Sequence, residues 1–283
     1  MDKVGLILEG GGMRGLYTAG ILDYFMKKEF YAPYVIGVSM GACNATSYIS
    51  KQNKRNKAVV INHVNDPRYI GIKNIFRCKS LLGIDLIYDE IPNKLEPFDY
   101  KAFYASKQKF IIVATDCKTG KPVYFDKDKD EDILTTVRAS SSLPFISPIV
   151  RYNGMELLDG GISDSIPIGK SIKDGNIKNI IILTRPKGYR KDPFRRKRLL
   201  KRFYSSYDNL IKAIEDRYRI YNRTLDYIEK LEEENKVFIL RPTNKIKVRR
   251  IEKNTEKLEG LYKMGFEDAE KQYEKMIDWV NNA

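Results

Sequence analysis

Histidine is almost missing from this sequence: His63 is the single one in 283 residues. Any acid–base chemistry that depends on an imidazole must therefore use that one side chain. Cysteine is sparse as well. Cys43, Cys78 and Cys117 are odd in number and widely spaced, so a disulfide framework is excluded, and no Cys-x-x-Cys pair suggests zinc. A reducing, intracellular setting is expected. No run approaches the roughly 18 apolar residues of a membrane-spanning helix. The opening stretch "MDKVGLILEGGG" lacks the long apolar segment and small-residue cleavage site of a signal peptide. A cytoplasmic location is expected, at most peripheral to a membrane. Acidic residues are outnumbered, 37 against 51 Lys and Arg, for a net charge of +14. That surplus points to an anionic partner or to a solvated basic surface. No zinc-finger spacing or RNA-binding aromatic motif accompanies it, so nucleic acid is not expected.

What is present is a chain that is 42% hydrophobic, enough for a sizeable core. "KVGLILE" (3–9) and "YVIGVS" (34–39) read as strands buried on both faces, as in a parallel sheet. Each runs into helical spacing: Leu16, Ala19, Leu22, Phe25 and Met26 after the first, the small residues of 40–50 after the second. Strand, turn, helix, repeated, is the signature of an α/β fold. Residues 67–104 show no sustained period and read as cap or pocket-wall material. Hairpins are predicted at 109–126 and at 151–159, the latter turning on Asn153-Gly154. A helix is predicted over 131–145, ending near Pro144, and a further buried strand over 179–184. Residues 185–203 carry ten Lys and Arg against one Asp. Beyond them come a long amphipathic helix from Tyr207 to Leu231, a strand over 236–242, and a final helical stripe with a break expected at Gly265.

Gly10-Gly11-Gly12-Met13-Arg14-Gly15 follows the first strand and matches G-x-G-x-x-G, the fingerprint of a dinucleotide cradle. That reading needs an acidic residue at the end of the next strand to hold a ribose. The next strand ends instead in Gly37-Val38-Ser39-Met40-Gly41. Gly-x-Ser-x-Gly between strand and helix is a nucleophile elbow. Its turn is tight, which requires glycine at 37 and 41, and it exposes Ser39 at a helix N-terminus, where the dipole favours negative charge.

A serine nucleophile needs a base. His63 precedes every position at which the α/β-hydrolase order would place a histidine, and a lone histidine is ordinarily a surface or packing residue. A carboxylate must act directly, and "LLDGGISDSIPI" supplies the candidate: Asp159 ends an apolar strand, followed by Gly160 and Gly161, which permit close approach of a backbone or a substrate. In isolation Asp-Gly-Gly is also an ordinary turn. Beside Ser39 and without a usable histidine, Asp159 is the expected base.

Together, "GGGMRG", "GVSMG" and "DGG", in this order, resemble the patatin-like phospholipase family, as do "VATDCKTGKPVYF" and "RASSSLPFISPI". The resemblance covers roughly residues 4–185 and extends more weakly to the tail of some bacterial members. It implies a three-layer α/β/α fold with a mostly parallel central sheet and a helical C-terminal region. It implies a Ser39–Asp159 dyad that hydrolyses lipid esters without metal or cofactor. Backbone N–H groups around Gly10 to Gly15, those of Gly11, Gly12 and Met13 above all, would form the oxyanion hole, and Arg14 would brace the loop. Asp-Gly-Gly stands here where many relatives have Asp-Gly-Ala. The expected organisation is a catalytic domain over 1–185, a basic linker or surface segment over 186–204, and a helical region over 205–283 packed on the catalytic domain. The segment 185–203, with Phe194, Leu199, Leu200 and Phe203 among its cations, is expected either to touch an anionic membrane or to be a solvated linker. The competing function is a non-catalytic lipid- or membrane-binding regulatory protein on the same scaffold.

Overall fold

Strict alternation of side chains along the strands organises the molecule. The computed structural model describes residues 3–130, 132–244 and 247–282. In chain order, β1 (Val4–Leu8) passes through a 3-10 turn into α1 (Leu16–Lys27), and β2 (Tyr34–Val38) into α2 (Met40–Ile49). An excursion follows: α3 (Arg55–Ile61), α4 (Lys73–Cys78), a π-helical segment (Leu86–Leu95) and α5 (Tyr100–Ala105). Next come β3 (Lys109–Asp116), β4 (Pro122–Asp126), α6 (Ile133–Ser140), β5 (Val150–Tyr152), β6 (Met155–Asp159), α7 (Ile168–Lys173) and β7 (Lys178–Ile182). The chain continues through α8 (Lys197–Phe203), α9 (Asp208–Glu233), β8 (Val237–Leu240) and α10 (Thr255–Asn281).

The strands form one sheet in the order β5-β6-β3-β2-β1-β7-β8, with β4 also on β3. β3-β2-β1-β7-β8 are parallel, and the hairpin strands are antiparallel. Along the parallel strands, Leu6, Leu8, Val35, Phe110, Ile112, Ile180 and Ile182 face one core, which α1, α2 and α10 cover. Ile7, Ile36, Val38, Ile111, Val113 and Ile181 face the other, covered by α9 and the start of α7. This period of two is why the strands read as continuous apolar runs. Each fully buried Leu, Ile or Phe contributes about 1.5–3 kcal/mol from removal of its surface from water.

Three expectations about local structure change. The predicted break at Gly265 does not occur: α10 runs unbroken through it. A side chain at Gly265 would meet the Tyr17 carbonyl of α1, and one at Gly20 the Tyr262 carbonyl of α10, so the glycines let two helix backbones touch. Tyr17 Oη donates to Asp268 at 3.0 Å and Tyr262 Oη to Asp23 at 2.7 Å across the same seam. The helix predicted over 131–145 spans Ile133–Ser140, capped by Asp132 accepting from Thr135 N–H at 3.0 Å. Its expected start at Glu131 lies outside the described residues. Beyond its end at Ser140, the Ser142 carbonyl accepts from Asp159 N–H. Finally, Leu200 of the basic segment is fully buried on Leu210, Ile214 and Tyr204, so it has no surface to insert anywhere. Among the described residues no helix is long and apolar enough to cross a membrane.

Candidate active site

Ser39 is held in a backbone conformation that costs energy. Its φ of 56° and ψ of −126° lie outside the regions open to L-residues, a penalty of about 1–3 kcal/mol. Neighbouring contacts maintain it. Ser39 N–H donates to Ser140 Oγ at 2.8 Å, and that hydroxyl donates to the Val113 carbonyl at 2.6 Å. A Cβ at Gly41 would collide with the Leu8 carbonyl, and one at Gly37 would stand 2.7 Å from Ala42 Cα. The elbow therefore requires both glycines, because β1, β2 and α2 cross there without room for side chains.

Asp159 reaches the same place from the opposite direction. β2 runs parallel to β3 and ends with Val38 opposite Val113. β6 runs antiparallel to β3 and ends with Asp159 opposite Ala114. Ala114 and Thr115 pair with β4 on their other edge, so β2 and β6 occupy one edge of β3 and run toward each other. Val38 and Asp159 thus stand opposite consecutive residues, and the chain must turn away from both ends. Ser39 makes one turn; Gly160 makes the other, lying against the Val113 carbonyl where a Cβ would not fit. Asp159 is 1% exposed. Its Oδ1 accepts from Gly161 N–H at 2.8 Å, its own N–H donates to Ser142 O at 2.8 Å, and its Oδ2 is buried without a partner among the described residues.

The glycine loop closes the third side. A Cβ on Gly10 would stand 2.9 Å from Ser39 Cβ, so the loop backbone touches the elbow. Gly15 is fixed from below by Asn44, whose Nδ2 donates to its carbonyl at 2.7 Å. Gly12 has a φ of 57° and lies against the Arg250 carbonyl. Met13 N–H, expected among the oxyanion donors, is used: it donates to Arg250 O at 3.0 Å. No acceptor is found among the described residues for the N–H groups of Gly11 and Gly12. Arg14 is 7% exposed, and its Nε has no hydrogen-bond partner among the described residues.

Two cavities meet at Ser39. The larger has an empty volume of about 1090 Å³ and is walled by apolar side chains, among them Met13, Val59, Ile87, Ile91, Leu134 and Val137. The excursion over 67–104 supplies much of that wall, as its aromatic and aliphatic content suggested. The smaller, about 410 Å³, is polar. Arg14, Arg185, Lys191, Arg217 and Arg250 line it together with Glu9 and Asp159. Most of these were missed by motif reasoning, since Arg217 and Arg250 sit in stretches where Lys and Arg are everywhere. His63 lines neither cavity and lies 3.4 Å from Glu96. Among the described residues no group of three or more His, Cys, Asp or Glu side chains is placed to hold a metal ion.

Comparison with known proteins identifies the family. The model of the patatin-like phospholipase family matches residues 6–170, and the chain belongs to that family. A second model, a domain of unknown function (DUF6363), matches residues 207–281. The chain is 31% identical over 189 residues to the uncharacterized protein YjjU of Escherichia coli K12, covering 65% of this chain and 52% of that one. It is 29% identical over 196 residues to the probable lipid hydrolase 463L of invertebrate iridescent virus 6, covering 62% and 65%. It is 25% identical over 187 residues to lysophospholipase NTE1 of Candida albicans, covering 64% of this chain and 13% of that much longer protein. The match thus spans about half to two thirds of the first two relatives. The crystal structure of VipD from Legionella pneumophila shares the fold, with a TM-score of 0.51 at 13% identity over 97% of this chain and 67% of that one.

Proposed function

We propose that this patatin-like protein is a serine acyl hydrolase that cleaves lipid esters, of the phospholipase A or lysophospholipase type. The observation that carries the reading is the convergence around Ser39, which lines both cavities: its strained backbone, a buried Asp159 in the polar cavity whose Oδ2 has no partner among the described residues, and Gly11 and Gly12 N–H groups for which no acceptor is found among them. The names of the viral and fungal relatives point the same way. Residues 1–185 would carry the chemistry, and the C-terminal region would complete the walls.

In this mechanism the acyl chain lies in the apolar cavity and the ester carbonyl sits above Ser39. Ser39 Oγ bonds to the carbonyl carbon as its proton passes to Asp159 Oδ2. The carbonyl π pair moves onto oxygen, and the Gly11 and Gly12 N–H groups hold the resulting anion; such donors are worth about 3–4 kcal/mol each. Collapse breaks the carbon–oxygen bond to the alcohol, which takes the proton from Asp159. Water then attacks the acyl-enzyme, giving its proton to Asp159, and the acid is released as Ser39 Oγ recovers the proton. The elbow strain serves preorganisation: Ser39 is already placed before substrate arrives.

Membrane contact through 185–203 belongs to the same reading, narrowed by the burial of Leu200. Phe203 is 61% exposed and Leu199 36% exposed, amid Arg195, Arg196, Arg198 and Arg202. Each cation near an anionic surface contributes about 1 kcal/mol. Binding to phosphatidylserine vesicles that weakens with salt and with charge reversal of 195–202 is expected; salt-independent binding would count against it.

The deciding experiment uses esters of medium-chain acids. Ser39→Ala and Asp159→Asn should each lower kcat/KM by about 1000-fold or more, and His63→Ala by less than about two-fold. A fluorophosphonate should label the wild type and not Ser39→Ala. Equal loss in His63→Ala would sink the dyad, and absence of Ser39-dependent labelling would favour the non-catalytic lipid-binding alternative.

A further inference from the structure

The polar cavity beside Ser39 holds more positive charge than its own carboxylates balance. Five cations, Arg14, Arg185, Lys191, Arg217 and Arg250, share its walls with Glu9 and Asp159. Glu9 is already occupied. Its Oε2 accepts from Thr184 N–H at 2.6 Å and Oγ1 at 2.9 Å, and its Oε1 from Tyr221 Oη at 2.6 Å. Among the described residues none of the five cations forms an ion pair. The Nε atoms of Arg14 and Arg217 are buried with no acceptor among the described residues. Buried donors of this kind are normally satisfied, and two charged ones in a single small cavity call for a ligand. Burial and the neighbouring arginines push Arg14 down to about 10, and burial and then Arg217 push Lys191 down to about 7. Burial is the first cause of both shifts, the neighbouring cations add to it, and Glu9 opposes it.

Position says where that counterion would come from. Ser39 belongs to both cavities, so an ester whose chain fills the apolar cavity directs its alcohol side into the polar one. In a glycerophospholipid the phosphate lies a few bonds from the ester. Arg217 stands beside the site: its Nη2 is 2.9 Å from where a Cβ of Gly161 would be. Lys191 Nζ lies 4.2 Å from the centre of the Tyr221 ring, on the cavity wall. Four of the five cations lie beyond residue 170, on the loop after β7, on α9 and on the segment before α10.

We propose that this cavity is a phosphate-monoester subsite, formed by Arg14 together with Lys191, Arg217 and Arg250 from the C-terminal part of the chain. It makes the enzyme prefer acyl esters carrying a dianionic phosphate, such as a lysophosphatidate, over neutral or zwitterionic ones. A choline or ethanolamine group would bring a further cation into a space already lined by five, where Glu9 is occupied by Thr184 and Tyr221. The inference rests on Ser39 being the nucleophile, and its test separates the two.

The first readout is selectivity in the full chain. The ratio of kcat/KM for 1-oleoyl lysophosphatidate to that for 1-monooleoylglycerol, both below micelle formation, should exceed about ten in the wild type. Arg217→Met and Lys191→Met should each lower that ratio by about ten-fold, and Arg217→Lys should restore part of it. No wild-type preference, or equal losses on both substrates in Arg217→Met, would overturn the subsite. The second readout is binding to Ser39→Ala by calorimetry, with inorganic phosphate and sn-glycerol 3-phosphate as probes. Saturable binding of sn-glycerol 3-phosphate, weakened about ten-fold by Arg217→Met, is expected. Inorganic phosphate binding as tightly, with no lipid selectivity, would overturn the headgroup assignment in favour of a site for free phosphate. Binding without any Ser39-dependent hydrolysis would retain the anion site and reject the catalytic reading. Ser39-dependent hydrolysis of monooleoylglycerol with neither binding nor selectivity would do the reverse.

Discussion

The two cavities that meet at Ser39 are built by different physics and from different parts of the chain. The apolar one is walled largely by residues between Ser39 and Ile146. The polar one takes most of its charge from residues beyond 170, and buries arginine nitrogens that have no partner among the described residues. An apolar wall can be assembled from many interchangeable side chains, since burial is nondirectional and scales with area. A wall of buried cations is stable only if the fold holds it and a ligand eventually satisfies it. The difference teaches that one side of this site is adapted to accept what water rejects, and the other to accept what only charge retains.

Three substitutions sharpen or break that comparison. The largest effect is expected at Gly12, which borders both cavities and has a positive φ against the Arg250 carbonyl. Gly12→Ala should shift the loop amides and lower kcat by about 100-fold with a smaller change in KM, on any ester. A loss confined to phosphate-bearing substrates would instead make the loop part of the polar side alone. Next is Leu134→Trp, which narrows only the apolar cavity. It should lower kcat/KM for 16-carbon esters about ten-fold relative to 4-carbon ones; equal effects on both lengths would mean that the chain lies elsewhere.

The smallest effect is thermodynamic. Burial raises the Asp164 carboxyl to about 6, while its hydrogen bond from Tyr124 works against the shift. Asp164 N–H bonds the Gly160 carbonyl, so this acid sits under the polar side of the site. Because its folded value lies above the ordinary carboxylate value near 4, the native state favours the protonated form. The stability this contributes is full below pH 4 and is lost as pH rises through about 6. Asp164→Asn should therefore raise stability by about 1–3 kcal/mol above pH 6, an advantage that fades below pH 4 in thermal melts. A constant difference across that range would assign the effect to packing and not to charge.

Much of the fold was legible because its signals are local. The continuous burial of β1, β2 and β7 and the Asn153-Gly154 turn each obey short-range sterics, and the structure places them as expected. What was misread depends on neighbours remote in sequence. Gly265 looked like a helix breaker because a glycine's penalty is local, whereas the contact it permits, with Tyr17, is 248 positions away along the chain. The helix predicted to end near Pro144 ends at Ser140, and the Ser142 carbonyl beyond it pairs with Asp159, 17 positions away along the chain. Leu200 looked available for a membrane because nothing near it in sequence shows that α9 covers it.

The sequence alone determined the α/β class, the family resemblance, and the three motifs from which a site could be assembled. Only the tertiary structure brought the ends of β2 and β6 together at Val113, engaged Met13 N–H on Arg250, and gathered cations from residues 14 to 250 around one small cavity. The reason is one of range. Strand period, turn chemistry and glycine sterics act between residues a few positions apart. The field inside a cavity is a sum over groups close in space, whatever their distance along the chain.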